Sequence, residues 1–286
     1  MSDLVFFRRT PDGFEPTPIA AGLWSPDAIH GVAASGLLAK AMEESLGASE
    51  LIPARYHVDL FRPARMVTTR VRVRTVRHGP RLALLDAELV QDAPDDAPSD
   101  APDGAEVICS RASATFLLPT AATTGEVWRN GDRGTPPPLE FAPETGEPHV
   151  PWFRSKRGWS QTFSDHQNAG RHATWQTALP TVDGERMTPF QAVASIADAT
   201  SMVTNWGAGG IEYINTDISL ALSRLPQGVQ VGLRTLDQVA ADGVAVGTAE
   251  VFDRAGTLGT ATVTALANTR RTVDLSHEGV DPTTRA

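Results

Sequence analysis

The sequence holds a single cysteine, Cys109. No intramolecular disulfide can form, and thiolate zinc sites and CxxC redox chemistry are excluded. Dense basic runs are also missing. Its 286 residues carry 25 Lys+Arg against 34 Asp+Glu, a net charge of -9. Such a chain is a poor match for phosphate backbones, so no nucleic-acid partner is expected. No apolar run is long enough for a membrane span, and the opening MSDLVFFRR does not read as a signal peptide. A soluble protein of a reducing compartment, the cytoplasm, is expected. There is no GxSxG elbow, no GxxxxGK[ST] loop and no HExxH. No cluster of metal-ligating residues stands out, and no metal is expected.

What is present is a globular composition, 41% hydrophobic and 21% charged, able to bury a real core. Residues 91–104 are acidic and Pro-rich and read as a solvated hairpin loop. Residues 119–150 carry Thr-Gly, Asn-Gly and three consecutive prolines, the chemistry of a linker. The expected division is 1–118, a linker at 119–150, 151–272, and a flexible polar tail at 273–286.

The two halves resemble each other. Ser25-Pro26-Asp27 predicts the start of a helix that runs to about Leu46 and stops at Gly47. Thr188-Pro189 predicts a second helix through PFQAVASIADATSMVTNW. Four strand-like runs follow each helix, at 55–64, 68–79, 81–90 and 106–118, then at 211–226, 229–240, 244–253 and 257–269. Asp253-Arg254-Ala255-Gly256 predicts a tight hairpin. One long apolar helix for each set of strands implies an α+β fold with a sheet curled around a buried helix.

Several residues invite a chemical reading. Arg70, Arg72 and Arg74 alternate with valines, as on the wet face of a strand with Asp86 and Glu88 opposite; a weak phosphate contact is the alternative. Asp165-His166 and His172 are expected on a polar surface turn, and Cys109 in a packed strand. His30-Gly31 opens the first helix; glycine there admits either a ligand to the free N–H groups or a close-packed sheet. Asp198 lies in a small, apolar helical run, where an ionised carboxylate needs partners. Asn215, Thr216 and Asp217 begin a strand that should run beside it, either as part of a site or as a solvated strand end.

These elements resemble the acyl-CoA thioesterase II (TesB-like) family. The likeness rests on the "FRPA" and "SRLP" turns, the helix "SIADATSM", the strand "IEYINTDISLAL" and the closing "VFDRAGTLGTATVTALA". The resemblance covers residues 12–118 and 152–270 and implies a double hotdog, two tandem helix-in-sheet domains. It also implies hydrolysis of acyl-CoA thioesters to a carboxylic acid and free CoA, with CoA as part of the substrate and no separate cofactor. In that family an Asp on the second helix, a Thr on the next strand and a Gln on the last strand hold and activate a water. Asp198 matches the Asp; the Thr position falls on Asn215, with Thr216 beside it; the Gln position falls on Thr264. Asn and Thr can still hold a water by hydrogen bonds. His30, Gly31 and Thr216 are the expected substrate-binding residues, with N–H groups near Gly31 facing the oxyanion. A homodimer or higher homo-oligomer is expected, because a hotdog sheet leaves an edge and an outer face. A non-catalytic acyl-CoA or lipid-binding module is the alternative. An enoyl-CoA hydratase fits less well, because no Asp-x-x-x-x-His spacing occurs near the second helix.

Overall fold

The computed structural model describes residues 4–94, 105–268 and 270–276. The chain opens with a hairpin, β1 (Phe7–Thr10) and β2 (Gly13–Pro16). Helix α1 (Gly31–Leu46) and strands β3 (Ile52–Asp59), β4 (Arg70–His78), β5 (Leu82–Asp92) and β6 (Glu106–Leu117) complete the first half. The second half has β7 (Trp152–Arg154), α2 (Phe163–His166) and β8 (Ala173–Thr177). A helical stretch follows: α3 (Pro189–Ile196), a 3₁₀ turn at Ala197–Ala199, and α4 (Thr200–Asn205). Two short strands, β9 (Trp206–Gly207) and β10 (Gly210–Ile211), lead to β11 (Tyr213–Asn215) and β12 (Asp217–Leu222). The chain closes with β13 (Gln230–Ala241), β14 (Val244–Asp253) and β15 (Gly256–Ala267).

Eleven of these strands form one antiparallel sheet in the order β4-β5-β6-β3-β12-β15-β14-β13-β8-β7, with β11 also on β15. The seam between the halves is β3 against β12, with Ile218 opposite Val58 and Leu220 opposite Tyr56. Fusion thus pairs two strands that would otherwise be sheet edges. The double hotdog expected from the sequence is the fold adopted.

Alternation along the strands decides what enters the core. On β3, Tyr56 and Val58 are buried, while His57 and Asp59 lie on the other face. The helices are rich in small residues, so they approach closely. Ser35 Oγ donates to the Ala194 carbonyl (2.7 Å), and Ser195 Oγ donates to the Val32 carbonyl (3.0 Å). A side chain at Gly36 would press on Ser195. Phe190 at the start of α3 packs edge-on against Tyr56 and Phe116 of the first half. One continuous core therefore serves both halves.

Several expectations are corrected. Helix α1 does not start at Ser25. The Ile29 N–H is taken by the Ala64 carbonyl (2.7 Å), which holds this segment extended until His30. Thr188 does cap α3, accepting from the Gln191 N–H (3.2 Å), but the second helix is broken by the 3₁₀ turn that carries Asp198. The N-terminal hairpin spans the proposed boundary: Phe6 and Phe7 donate to the Pro180 and Thr181 carbonyls. The linker is docked rather than free from about Asp132. The Asp132 carboxylate bridges Arg171 and Arg234, and the Gly134 N–H donates to buried Glu250. The tail does not fray at 273, because Val273 and Leu275 alternate with Asp274 and bury against Ile211 and its neighbours. Residues 95–104 of the acidic loop and 277–286 lie outside the described residues.

His166 and His172 are buried, not on a polar surface turn. Ser155 and Ser160 hydroxyls meet the two ring nitrogens of His166 at 3.0 and 2.8 Å, and burial pushes this imidazole down to about 4. Arg70, Arg72 and Arg74 pair with Asp92, Glu106, Glu88 and Asp86, as a wet strand face would.

A second link between the halves is ionic. The buried Lys40 ammonium lies 2.6 Å from Glu185, which also receives Arg9 at 2.7 Å. These partners, Arg9 first, hold the Glu185 carboxyl down to about 2 from its usual 4.5. Because the folded value is depressed, this contribution is full above 4.5 and is lost as pH falls toward 2. Glu185→Gln should lower unfolding free energy at neutral pH by about 1–3 kcal/mol. Urea titrations should show the gap to the parent closing across that acid window; a gap independent of pH would contradict the assignment.

Candidate active site

The site is built where the two halves touch. α3 runs as an α-helix to Ile196, and its ladder then tightens into the 3₁₀ turn Ala197–Ala199. Such a turn within a helical stretch often marks a functional position. It points the Asp198 carboxylate at the first turn of α1. A Cβ on Gly31 would clash with both carboxylate oxygens of Asp198. Glycine at 31 is thus the condition for the carboxylate to reach the helix end. The group that approaches the open turn is Asp198 itself, seated where the helix dipole favours negative charge.

Asn215 supplies the second contact. Its Nδ2 donates to Asp198 Oδ1 at 2.9 Å. Burial pushes the Asp198 carboxyl up from its usual value, while the Asn215 amide and the Val32 N–H pull the other way. Burial is the largest influence, so the carboxyl stays raised.

His30 is a helix cap. Its Nδ1 accepts from the Ala33 N–H (3.0 Å), and its Nε2 donates to the Ile19 carbonyl (3.1 Å). That pairing fixes the neutral tautomer, and burial pushes the imidazole down to about 4. Both ring nitrogens are engaged, so His30 supports the site by ending the helix at Gly31 and has no nitrogen left for a ligand.

Thr264 and Thr216 sit differently from Asn215. On β15, Ala265 is opposite Asn215 and faces the helices. Thr264 is opposite Val246, whose side chain is exposed on the outer face. Strand alternation therefore turns the Thr264 side chain away from Asp198, against the expectation that it lines the site. Its backbone is close by instead: the Thr264 carbonyl accepts from the Thr216 N–H (2.8 Å) and hydroxyl (3.2 Å). The Asp217 carboxylate accepts from the Thr264 N–H at 2.7 Å. The structure thus brings together Asp198, Asn215 and Gly31, with Thr216 on the adjoining backbone. The polar run Asn215-Thr216-Asp217 within an apolar strand is the sequence signal for the Asp217 contact, and the 3₁₀ break at Ala197–Ala199 has no such signal.

A half-buried carboxylate held by an amide and a backbone N–H, with a raised pKa, suits proton transfer from a water. Among the described residues, no group of three or more His, Cys, Asp and Glu gathers in a way that could hold a metal ion. No described helix is long and apolar enough to cross a membrane.

Comparison with known families matches each half of the chain to a domain. The N-terminal domain of acyl-CoA thioesterases matches residues 20–117, and the C-terminal domain of acyl-CoA thioesterases matches residues 133–266. The chain belongs to the acyl-CoA thioesterase family. It is a thioester hydrolase with both domains of that family in one chain. Three solved structures are similar over nearly their whole length. A tesB protein of Mycobacterium avium subs paratuberculosis is 16% identical, with a TM-score of 0.60 over 91% of this chain and 95% of that one. The acyl-CoA thioesterase II TesB2 of Mycobacterium marinum is 14% identical, with a TM-score of 0.58 over 93% and 95%. A hot dog fold protein of unknown function from Alicyclobacillus acidocaldarius is 16% identical, with a TM-score of 0.58 over 93% and 96%. At this identity the likeness is one of fold. No curated protein matches the sequence.

The Gly31 contact makes a direct prediction for the thioesterase. Gly31→Ala places a methyl where the carboxylate now sits, so Asp198 must move. A displacement of about 1 Å can cost on the order of 10² in rate. Thiol release should fall by that order, while circular dichroism shows an intact fold. Parent-level activity in Gly31→Ala would mean that the contact is dispensable.

Proposed function

We propose that the enzyme hydrolyses acyl-CoA with a water activated by Asp198. One observation carries the reading: a carboxylate with a raised pKa, seated on Gly31 and aligned by Asn215, at the junction of the two halves. In this reading Asp198 takes a proton from the water as its oxygen attacks the thioester carbonyl. The tetrahedral intermediate collapses and expels the CoA thiolate. The proton held by Asp198 then passes to sulfur, leaving a carboxylic acid and free CoA.

Asn215 keeps the carboxylate aligned, and the Gly31 N–H is the first-turn donor assigned to the developing oxyanion. Val32 and Ala33 are less suited to that task, because their N–H groups serve Asp198 and His30. Thr264 acts through its backbone. The reading asks for no metal or cofactor, since a thioester is already activated toward water.

Asp198→Asn keeps the shape and removes the base. General-base loss is typically about 10²–10⁴ in rate. Free-thiol release from acyl-CoAs should fall by that order while the thermal transition stays near the parent's. The base must be ionised, so the parent's kcat/KM should decline toward acid with a midpoint above the ordinary aspartate value of about 3.9. A fully active Asp198→Asn would sink the mechanism.

A further inference from the structure

The register around Asn215 shifts by one residue. On β11, Tyr213, Ile214 and Asn215 face Ala267, Leu266 and Ala265 of β15. On β12, Ser219 and Leu220 face Thr262 and Ala261. Three residues, 216–218, therefore lie opposite two, 263–264. The extra residue is absorbed on the β15 side only. Toward β3 the ladder is regular: Asp217 faces Asp59, Ile218 faces Val58, and the Leu60 N–H donates to the Thr216 carbonyl (2.8 Å).

Such a bulge leaves a ladder group without its backbone partner and re-aims the neighbouring side chains. Here that group is the Thr264 N–H, and the Asp217 carboxylate takes the place of the missing carbonyl at 2.7 Å. The Thr264 carbonyl meanwhile holds the Thr216 N–H and hydroxyl. The consequence falls on Asn215. Strand side chains alternate, so a one-residue change of register moves a side chain to the opposite face. Val58 and Ile218 face the core, so regular alternation back from Ile218 would put Asn215 on the outer face with Asp217. With the bulge, Asn215 shares a face with buried Ala265 and reaches Asp198.

We propose that Asp217 is a positioning residue for hydrolysis: by holding the Thr264 N–H in the bulge, it keeps the Asn215 amide turned toward Asp198. This rests on the assignment of Asp198 as the base. It accounts for the polar run Asn215-Thr216-Asp217, since each member has a separate task in the bulge. The groups set against the Asp198 carboxylate are Asn215 from β11 and Gly31 with the Val32 N–H from α1. The titratable groups beside them are Tyr213 on β11, which shares Asn215's face by alternation, Asp217 at the start of β12, and His30 capping α1, whose imidazole stays neutral above about 4.

The test compares Asp217→Ala, which removes the acceptor, with Asp217→Asn, which keeps an acceptor oxygen. Thiol release is followed with whichever of acetyl-CoA, octanoyl-CoA and palmitoyl-CoA the parent turns over fastest. Misaligning a catalytic group is expected to cost on the order of 10–10² in kcat. Asp217→Ala should show that loss with KM little changed, and its acid limb should move to higher pH as Asp198 loses the amide that favours its charge. Asp217→Asn should stay near the parent in both. Parent-like kcat and acid limb in Asp217→Ala would overturn the proposal. So would an equal loss in both variants with the acid limb unmoved, the mark of a merely structural residue. If Asp217→Ala does not fold, hydrogen exchange in the parent decides. The Thr264 amide should be as protected as its β15 neighbours, and exchange at the rate of an open loop would overturn the proposal. Full activity in Asp198→Asn is a different result: it removes the base assignment and leaves the Thr264 exchange measurement to report on the bulge alone.

Discussion

A carboxylate from one half of the chain rests on the first helical turn of the other, and the rest of the site depends on that contact. Asp198 can reach α1 only because Gly31 has no side chain. The approach is held by elements on both sides. Ser35 and Ser195 exchange hydrogen bonds between the helices, Lys40 and Glu185 pair across the halves, and β3 continues into β12. Each of these links joins residues far apart in sequence, so neither half alone assembles the site. Burial then sets the chemistry: desolvation raises the Asp198 carboxyl, and the Asn215 amide and the Val32 N–H offset part of that rise.

The outer and inner faces of one sheet divide the labour. The inner face carries the core and Asn215. Outside, Val246 and Leu266 lie exposed, and the Thr264 side chain joins them on that face. The family's pattern has a Thr and a Gln where this chain has Asn215 and Thr264. Asn215 stands in for the Thr as a donor to the carboxylate. No similar replacement occurs at Thr264, whose backbone serves the bulge. In the proposed reading the carboxylate and one orienting amide remain for a water, and the last strand contributes through its backbone.

Much of this was legible in the sequence, for physical reasons. Period-two patterning over 81–90, 106–118 and 244–253 marks strands that truly have one buried face. Thr188-Pro189 marks a real cap, because capping is local chemistry. Asp198 could be singled out because a charge in an apolar run needs partners, and the structure supplies them. What stayed hidden is non-local. The start of α1 is set by Ala64 holding Ile29, not by the Ser25-Pro26-Asp27 signal. Thr264 lies one position away from the inner face, and a single residue is all that separates the faces of a strand. Val273 and Leu275 read as tail in a polar segment, because only the fold brings Ile211 to them. His166 and His172 looked solvated for the same reason.

In the proposed mechanism Asp198 delivers a water and does not itself attack the thioester. A single turnover in ¹⁸O-water, with enzyme in excess over acyl-CoA, is read by mass spectrometry of the carboxylic acid and of the Asp198 peptide. The first-turnover carboxylic acid should carry one ¹⁸O, and the Asp198 peptide should stay unlabelled. Unlabelled acid together with ¹⁸O in the Asp198 carboxylate would show an acyl-aspartyl intermediate and contradict this mechanism.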